Sequence, residues 1–129
     1  MKLLLDTCAL IWLCSSPDNF SSKASEVLLR DEQVELFISD ATILEIALKS
    51  ALGKLELPAA PRIWIEEQCD IWGITALPLS HEVIYISAEL PGHHKDPFDR
   101  LIIATSITHK LPVVTSDRFF EKYGIEVIW

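Results

Sequence analysis

The sequence is poor in several features that would place it in common classes. It has only three cysteines, Cys8, Cys14 and Cys69, an odd count with no C-x-x-C pair. That argues against a disulfide framework or a structural zinc site and fits a reducing cytoplasm, with each cysteine read as small buried filler. No apolar run reaches the ~18 residues that a membrane-spanning helix needs. The start, Met1-Lys2-Leu3-Leu4-Leu5, looks like a signal peptide, but it meets Asp6 after three leucines and no cleavage pattern follows. It is therefore read as a strand. Internal repeats, low-complexity tracts and linkers are lacking. Positive charge is also scarce: 11 Lys and Arg against 19 Asp and Glu give a formal net charge of −8. A nucleic-acid binder usually carries a basic face, so charge taken alone points toward a cationic partner or a bound metal.

What the chain does have is length for one domain and one core, 129 residues taken as a single domain over 1–129. Half its residues are hydrophobic and the mean hydropathy is +0.27, which implies elements buried on more than one side. Short apolar runs alternate with helical patterns, the signature of an α/β fold with a parallel sheet. The predicted strands are Lys2–Asp6, Val34–Ser39, Ile74–Pro78, Pro112–Thr115 and Glu126–Ile128. They are continuous rather than alternating, as expected for strands covered on both faces. The predicted helices are Thr7–Leu13, Ser22–Arg30, Ala41–Ala51, Pro61–Trp72, Glu82–Leu90, Pro97–Lys110 and Asp117–Tyr123. Ser21 or Ser22 serves as an N-cap, and Gly53, Gly73 and Gly124 mark C-terminal ends.

Three apolar runs finish in an acid: Asp6, Asp40 and Asp117. In an open parallel sheet, ligands bind beyond the carboxyl ends of the strands. Each acid is also a good helix N-cap, and capping and ligation can coexist. Glu45, five residues past Asp40, borders the apolar stripe Leu44–Ala47–Leu48–Ala51, where a carboxylate would be partly desolvated; the alternative is a solvated helix glutamate. In Asp96-Pro97-Phe98-Asp99, Asp96 reads as N-cap with Pro97 at the first helical position, which explains it structurally. Asp99 shares a helix face with Ile102, Ile103 and Ser106 and points toward the sheet. A charge aimed inward needs a partner. Asp6, Glu45, Asp99 and Asp117 then form four carboxylates held together by one divalent ion. Oxygen ligands suit Mg²⁺ or Mn²⁺. His93 and His94 are read as a polar loop, with metal ligation as the alternative. Thr7 and Thr115 are candidates for orienting water, and strand-end threonines are also commonly structural.

Four stretches resemble the PIN-domain ribonucleases, and within them the VapC-type toxins of type II toxin–antitoxin pairs. They are M-K-L-L-L-D-T-C-A-L-I-W, S-D-A-T-I-L-E-I-A-L-K followed by G-K-L, L-P-G-H-H-K-D-P-F-D-R-L-I-I-A-T-S, and V-V-T-S-D-R-F-F-E-K-Y. The third is the most specific. The resemblance implies a PIN-like three-layer fold with a five-stranded parallel sheet flanked by helices, and Mg²⁺- or Mn²⁺-dependent cleavage of RNA. It places the catalytic acids at Asp6, Glu45, Asp99 and Asp117, with Asp6 and Asp99 on the metal and Glu45 and Asp117 reaching it through water. Many close relatives show His where this chain has Cys8. The resemblance also implies a cognate antitoxin and a homodimer. An Arg-bearing antitoxin segment suits an acidic toxin, because Arg can replace metal charge among carboxylates. Lys49, Lys54, Arg62, Lys95, Arg100 and Arg118 are the candidate RNA contacts, with Arg100 and Lys49 nearest the site in sequence. Two rivals predict no RNA cleavage: a catalytically silent PIN-like partner-binding domain, and a receiver-type signalling module.

Overall fold

Five short apolar segments pair into one sheet in the computed structural model, which describes residues 1–129. They are β1 (Lys2–Leu5), β2 (Glu35–Ser39), β3 (Thr75–Leu77), β4 (Val113–Val114) and β5 (Val127–Ile128), all parallel, in the order β3-β2-β1-β4-β5. Six α-helices surround them: α1 (Thr7–Ser15), α2 (Ser22–Arg30), α3 (Asp40–Ala51), α4 (Pro61–Trp72), α5 (His81–Glu89) and α6 (Pro97–His109).

The pleat explains why the strands read as continuous apolar runs. Successive side chains point to opposite faces, so a strand covered on both sides is apolar at every position. Leu3, Leu5, Leu36, Ile38 and Val114 enter a core with Leu10, Leu13, Leu28, Ile46 and Trp64. Leu4 and Val113 enter a second core with Ile102, Ile103 and Phe120. Three layers result, as expected. β3 is the exception: Thr75 and Ala76 are exposed, because this strand forms an edge that helices cover only in part.

Local signals set most helix ends. Ser21 and Ser80 accept the N–H groups of Ala24 and Val83 as N-caps. Asp96 accepts from Phe98 and Asp99 at the start of α6, as its sequence context predicts. Pro61 opens α4 and Gly73 closes it at φ 64°, a left-handed position open to glycine without strain. Two expectations need correction. Ser39, not Asp40, caps α3, since its hydroxyl accepts the Ala41 N–H and Asp40 is already helical. The segment after Asp117 is a 3-10 helix of six residues over Arg118–Tyr123, closed at Gly124.

The strand order reverses direction of winding between β1 and β4, with β2 and β3 on one side and β5 on the other. That switch point opens a crevice above their carboxyl ends. The order also sets aside the receiver-type alternative, whose sheet runs 2-1-3-4-5.

Candidate metal centre

β1 ends at Leu5, and the next residue, Asp6, turns the chain into α1 at the switch point. Asp6 is 6% exposed. Its Oδ1 accepts the Ala9 N–H at 2.7 Å, and its Oδ2 accepts the Thr115 hydroxyl at 2.6 Å. Thr115 lies just past β4, and its Oγ1 accepts the Asp117 N–H at 3.0 Å. One hydroxyl thus ties the two strand-end acids. Burial raises the Asp6 pKa to about 6 despite the two hydrogen bonds that lower it, and the charges of Asp117 and Glu45 push the same way.

Glu45 arrives from α3. Its face was misjudged from sequence: Leu44 and Leu48 are exposed, while Ala41, Thr42, Glu45 and Ile46 are buried. The helix turns its short and polar side chains inward because that face must leave room for the site. Glu45 is 5% exposed. Its Oε2 is held by Lys49 one turn later, while its Oε1 meets no donor at all. Asp99, in the first turn of α6, lies on the face buried through Ile102, Ile103 and Ser106, as predicted. Burial is the chief cause that raises its pKa to about 7. Asp96, Asp6 and Glu45 add repulsion, and His94 opposes them. Asp96 therefore acts on the site as a charge as well as capping the helix.

The charges of Asp117 and Glu45 thus reach Asp6, and those of Asp6 and Glu45 reach Asp99. The structure also adds a residue that sequence reasoning left in a polar loop. His94 Nε2 sits 2.8 Å from Asp117 Oδ2 and 3.2 Å from Asp99 Oδ2. Ligand atoms of His94, Asp99 and Asp117 all lie within 4.8 Å of one another. Its one sequence signal was position, two residues before the N-cap of the helix that carries Asp99.

Other candidates sit elsewhere. Thr7 pairs its hydroxyl with Thr42 at 3.1 Å in the buried seam of α1 and α3. Arg100 spends its guanidinium on the carbonyls of Ser87, Leu90, Pro91 and His94, between 2.7 and 3.1 Å, and is a loop clamp. Lys49 is engaged by Glu45. Arg118 does border the site, in a cleft of about 170 Å³ that it shares with Asp117, Thr115 and Lys23, and Lys23 was not foreseen. Cys8 is exposed at the mouth. Partial burial, then Asp6, Glu45 and Asp99, push its thiol up to about 11, which keeps it neutral. All three cysteines are free. A larger apolar groove, between Ile43 and Ala47 of α3 and Pro61 and Ile65 of α4, contains none of these acids.

Comparison with known proteins bears on the family and the fold. The family model described as PIN domain matches residues 3–126. Ribonuclease VapC22 of Mycobacterium tuberculosis is 28% identical over 119 residues, covering 90% of this chain and 87% of that protein. Among solved structures, VapBC2 from Rickettsia felis bound to a promoter DNA fragment superposes with a TM-score of 0.67 at 17% identity, covering 98% of this chain and 97% of that one. DNA-bound VapBC from Salmonella typhimurium gives 0.66 at 23% identity, covering 98% and 96%. FitAcB from Neisseria gonorrhoeae gives 0.63 at 24% identity, covering 97% and 95%. At these identities the structural likeness speaks for the fold.

Proposed function

The chain belongs to the PIN domain family, and from that membership together with its carboxylate cluster we propose that it is a metal-dependent endoribonuclease, the toxin of a type II toxin–antitoxin pair. The observation that carries the reading is the orphaned Glu45 Oε1 among acids whose pKa values are raised by burial and mutual repulsion. Such a set is stable in its charged form only with a cation among its oxygens. The donor set fits Mg²⁺ or Mn²⁺, because the acids offer hard oxygens and no thiolate is available.

Asp6 and Asp99 would hold the ion, and Glu45 and Asp117 would hold the water around it. When bound, the ion polarises a phosphoryl oxygen and makes water a better nucleophile near neutral pH. Glu45 Oε1, without a donor of its own, accepts a hydrogen bond from the attacking water and orients it. Thr115 holds Asp6 and the Asp117 backbone in register. Lys23 and Arg118 offer charge to the RNA backbone beside Asp117.

Net charge of −8 is reconciled by the partner. An antitoxin segment bearing Arg would place guanidinium charge among the carboxylates and shut the site. The VapC22 relative is named a ribonuclease, and the solved neighbours include a toxin–antitoxin complex from Klebsiella pneumoniae and a member of the VapBC family of toxin–antitoxin systems from Mycobacterium tuberculosis, which supports this assignment. A homodimer and a cytoplasmic location complete the proposal, and no helix is long and apolar enough to cross a membrane.

The test is RNA cleavage by the purified chain with a Mn²⁺ titration. Wild type should cut, and Asp99→Asn should not. Cleavage by Asp99→Asn at the wild-type rate, or none by wild type at millimolar Mn²⁺, overturns the reading.

A further inference from the structure

His94 stands where a metal ligand would be expected, yet its hydrogen bonds say otherwise. The residue is held from several sides. Its backbone N–H donates to the Tyr123 hydroxyl at 2.6 Å, and its carbonyl accepts from Arg100 at 2.9 Å. Its ring is packed edge-on against Phe119 and Phe120, with centroids 6.1 and 5.8 Å away. These contacts fix the direction of both ring nitrogens.

Nδ1 accepts the Asp96 N–H at 3.2 Å. A nitrogen that accepts from an amide carries a lone pair and no proton, so the neutral ring keeps its proton on Nε2. That proton faces Asp117 Oδ2 at 2.8 Å, with Asp99 Oδ2 at 3.2 Å beside it. An imidazole binds a metal through a lone pair, and its other nitrogen then donates to a carbonyl or carboxylate. Here the order is inverted: the outer nitrogen meets a donor, and the inner one offers a proton. Asp117 is thereby engaged at both oxygens, Oδ1 by the Phe119 N–H at 2.9 Å and Oδ2 by His94.

We propose that His94 is the positioning residue of the carboxylate cluster, a hydrogen-bond donor that fixes Asp117 beside Asp99 and is not itself a metal ligand. The Asp96 N–H selects the tautomer. The loop that carries His94 is pinned by Arg100 and Tyr123, so this donor is set before any ion arrives. The role toward the ion rests on the ribonuclease reading, whereas the tautomer does not.

Two measurements test it. In metal-free protein with ¹⁵N-labelled histidine at alkaline pH, NMR should find the Nε2–H tautomer at His94; the Nδ1–H tautomer overturns the proposal. In Mn²⁺ titrations, His94→Leu should weaken binding about 10- to 100-fold, the usual effect of losing a partner that orients ligands. His94→Gln, whose amide places a donor near the position of Nε2, should recover most of it, and His93→Ala should bind as wild type. Unchanged Mn²⁺ affinity in His94→Leu overturns the proposal, as does nitrogen hyperfine coupling from a directly bound His94 in pulsed EPR of the Mn²⁺ protein. If wild type binds no Mn²⁺ at millimolar levels, the ribonuclease reading fails, and the NMR result still decides the donor assignment.

Discussion

The Thr115 hydroxyl donates to Asp6 Oδ2 at 2.6 Å, joining residues 109 positions apart in sequence. Thr115 Oγ1 in turn accepts the Asp117 N–H. Replacing it tests whether this buried hydroxyl organises the site. Thr115→Val removes a donor and an acceptor together and should cost ~1–3 kcal/mol. The Asp6 pKa should climb above its value of about 6, since the lost hydrogen bond favours the charged form. Thr115→Ser should restore both. A ¹³C NMR titration of Asp6 and a thermal melt check this, and an unmoved Asp6 pKa in the valine variant would refute it.

The metal-free protein should lose stability as pH rises from about 4 to about 7. Asp6 and Asp99 both titrate above the ordinary aspartate value of 3.8 in the fold, at about 6 and about 7. In that window the folded chain holds protons that the unfolded chain releases, and stability falls with rising pH wherever the native state binds more protons. The loss is complete once pH passes the folded values. Other groups shape the full curve, but melts in EDTA should show a lower melting temperature at pH 8 than at pH 5.5. Saturating Mn²⁺ should narrow or reverse the difference, because it binds the charged form. Identical EDTA melts at the two pH values would count against the raised pKa values.

Asp6→Asn separates the structural from the chemical role of this acid. The amide oxygen still accepts the Ala9 N–H, while the amide nitrogen donates to the Thr115 oxygen instead of accepting its proton, so the pair stays in contact with its direction reversed. Removing a buried charge beside Asp117 and Glu45 should raise metal-free stability by roughly 1–3 kcal/mol. It should also abolish the stabilisation by Mn²⁺, which for an intact site at 100 times Kd is about 2.7 kcal/mol. Asp96→Ala gives the contrast: it should cost about 1 kcal/mol of capping and lower the Asp99 pKa, with metal stabilisation retained. Calorimetric melts with and without metal decide both. An Asp6→Asn protein that still gains stability from Mn²⁺ would remove Asp6 from the site.

Arg100→Ala should act on the fold before it acts on RNA. Four carbonyls lose their donor, and the loop that presents His94 loses its clamp. The expected loss is ~2–4 kcal/mol, with charged-donor hydrogen bonds the largest part. RNA affinity measured below the melting transition, at saturating Mn²⁺, should change little, since the guanidinium is spent on loop carbonyls. A stable variant with strongly weakened RNA binding would return Arg100 to the substrate.

The acids were legible because their neighbours were. Asp6 follows three leucines and Asp117 follows Val113-Val114-Thr115-Ser116, so both had to sit at carboxyl ends of strands in a parallel sheet. Asp99 was fixed by periodicity, sharing its face with Ile102 and Ile103. The burial of Glu45 was expected for a mistaken reason: Leu44 and Leu48 suggested an inward stripe, and the structure leaves them exposed. A helix beside a charged crevice buries polar groups, and hydrophobic periodicity points the wrong way there. His94 was undervalued because side-chain direction in a loop has no period from which to infer it, and Arg100 was overvalued because the helix period does not locate the loop carbonyls that occupy it.

The order of residues along the chain determined which segments are strands, where helices begin and which acids stand at the sheet edge, since apolar runs, caps and prolines act over a few neighbours. Only the tertiary structure decided that Thr115 binds Asp6, that Glu45 is left with an unpaired oxygen and that His94 reaches Asp117. Those contacts span from 23 to 109 residues or depend on what fails to arrive nearby. Packing of the layers, and no local preference, brings such groups together.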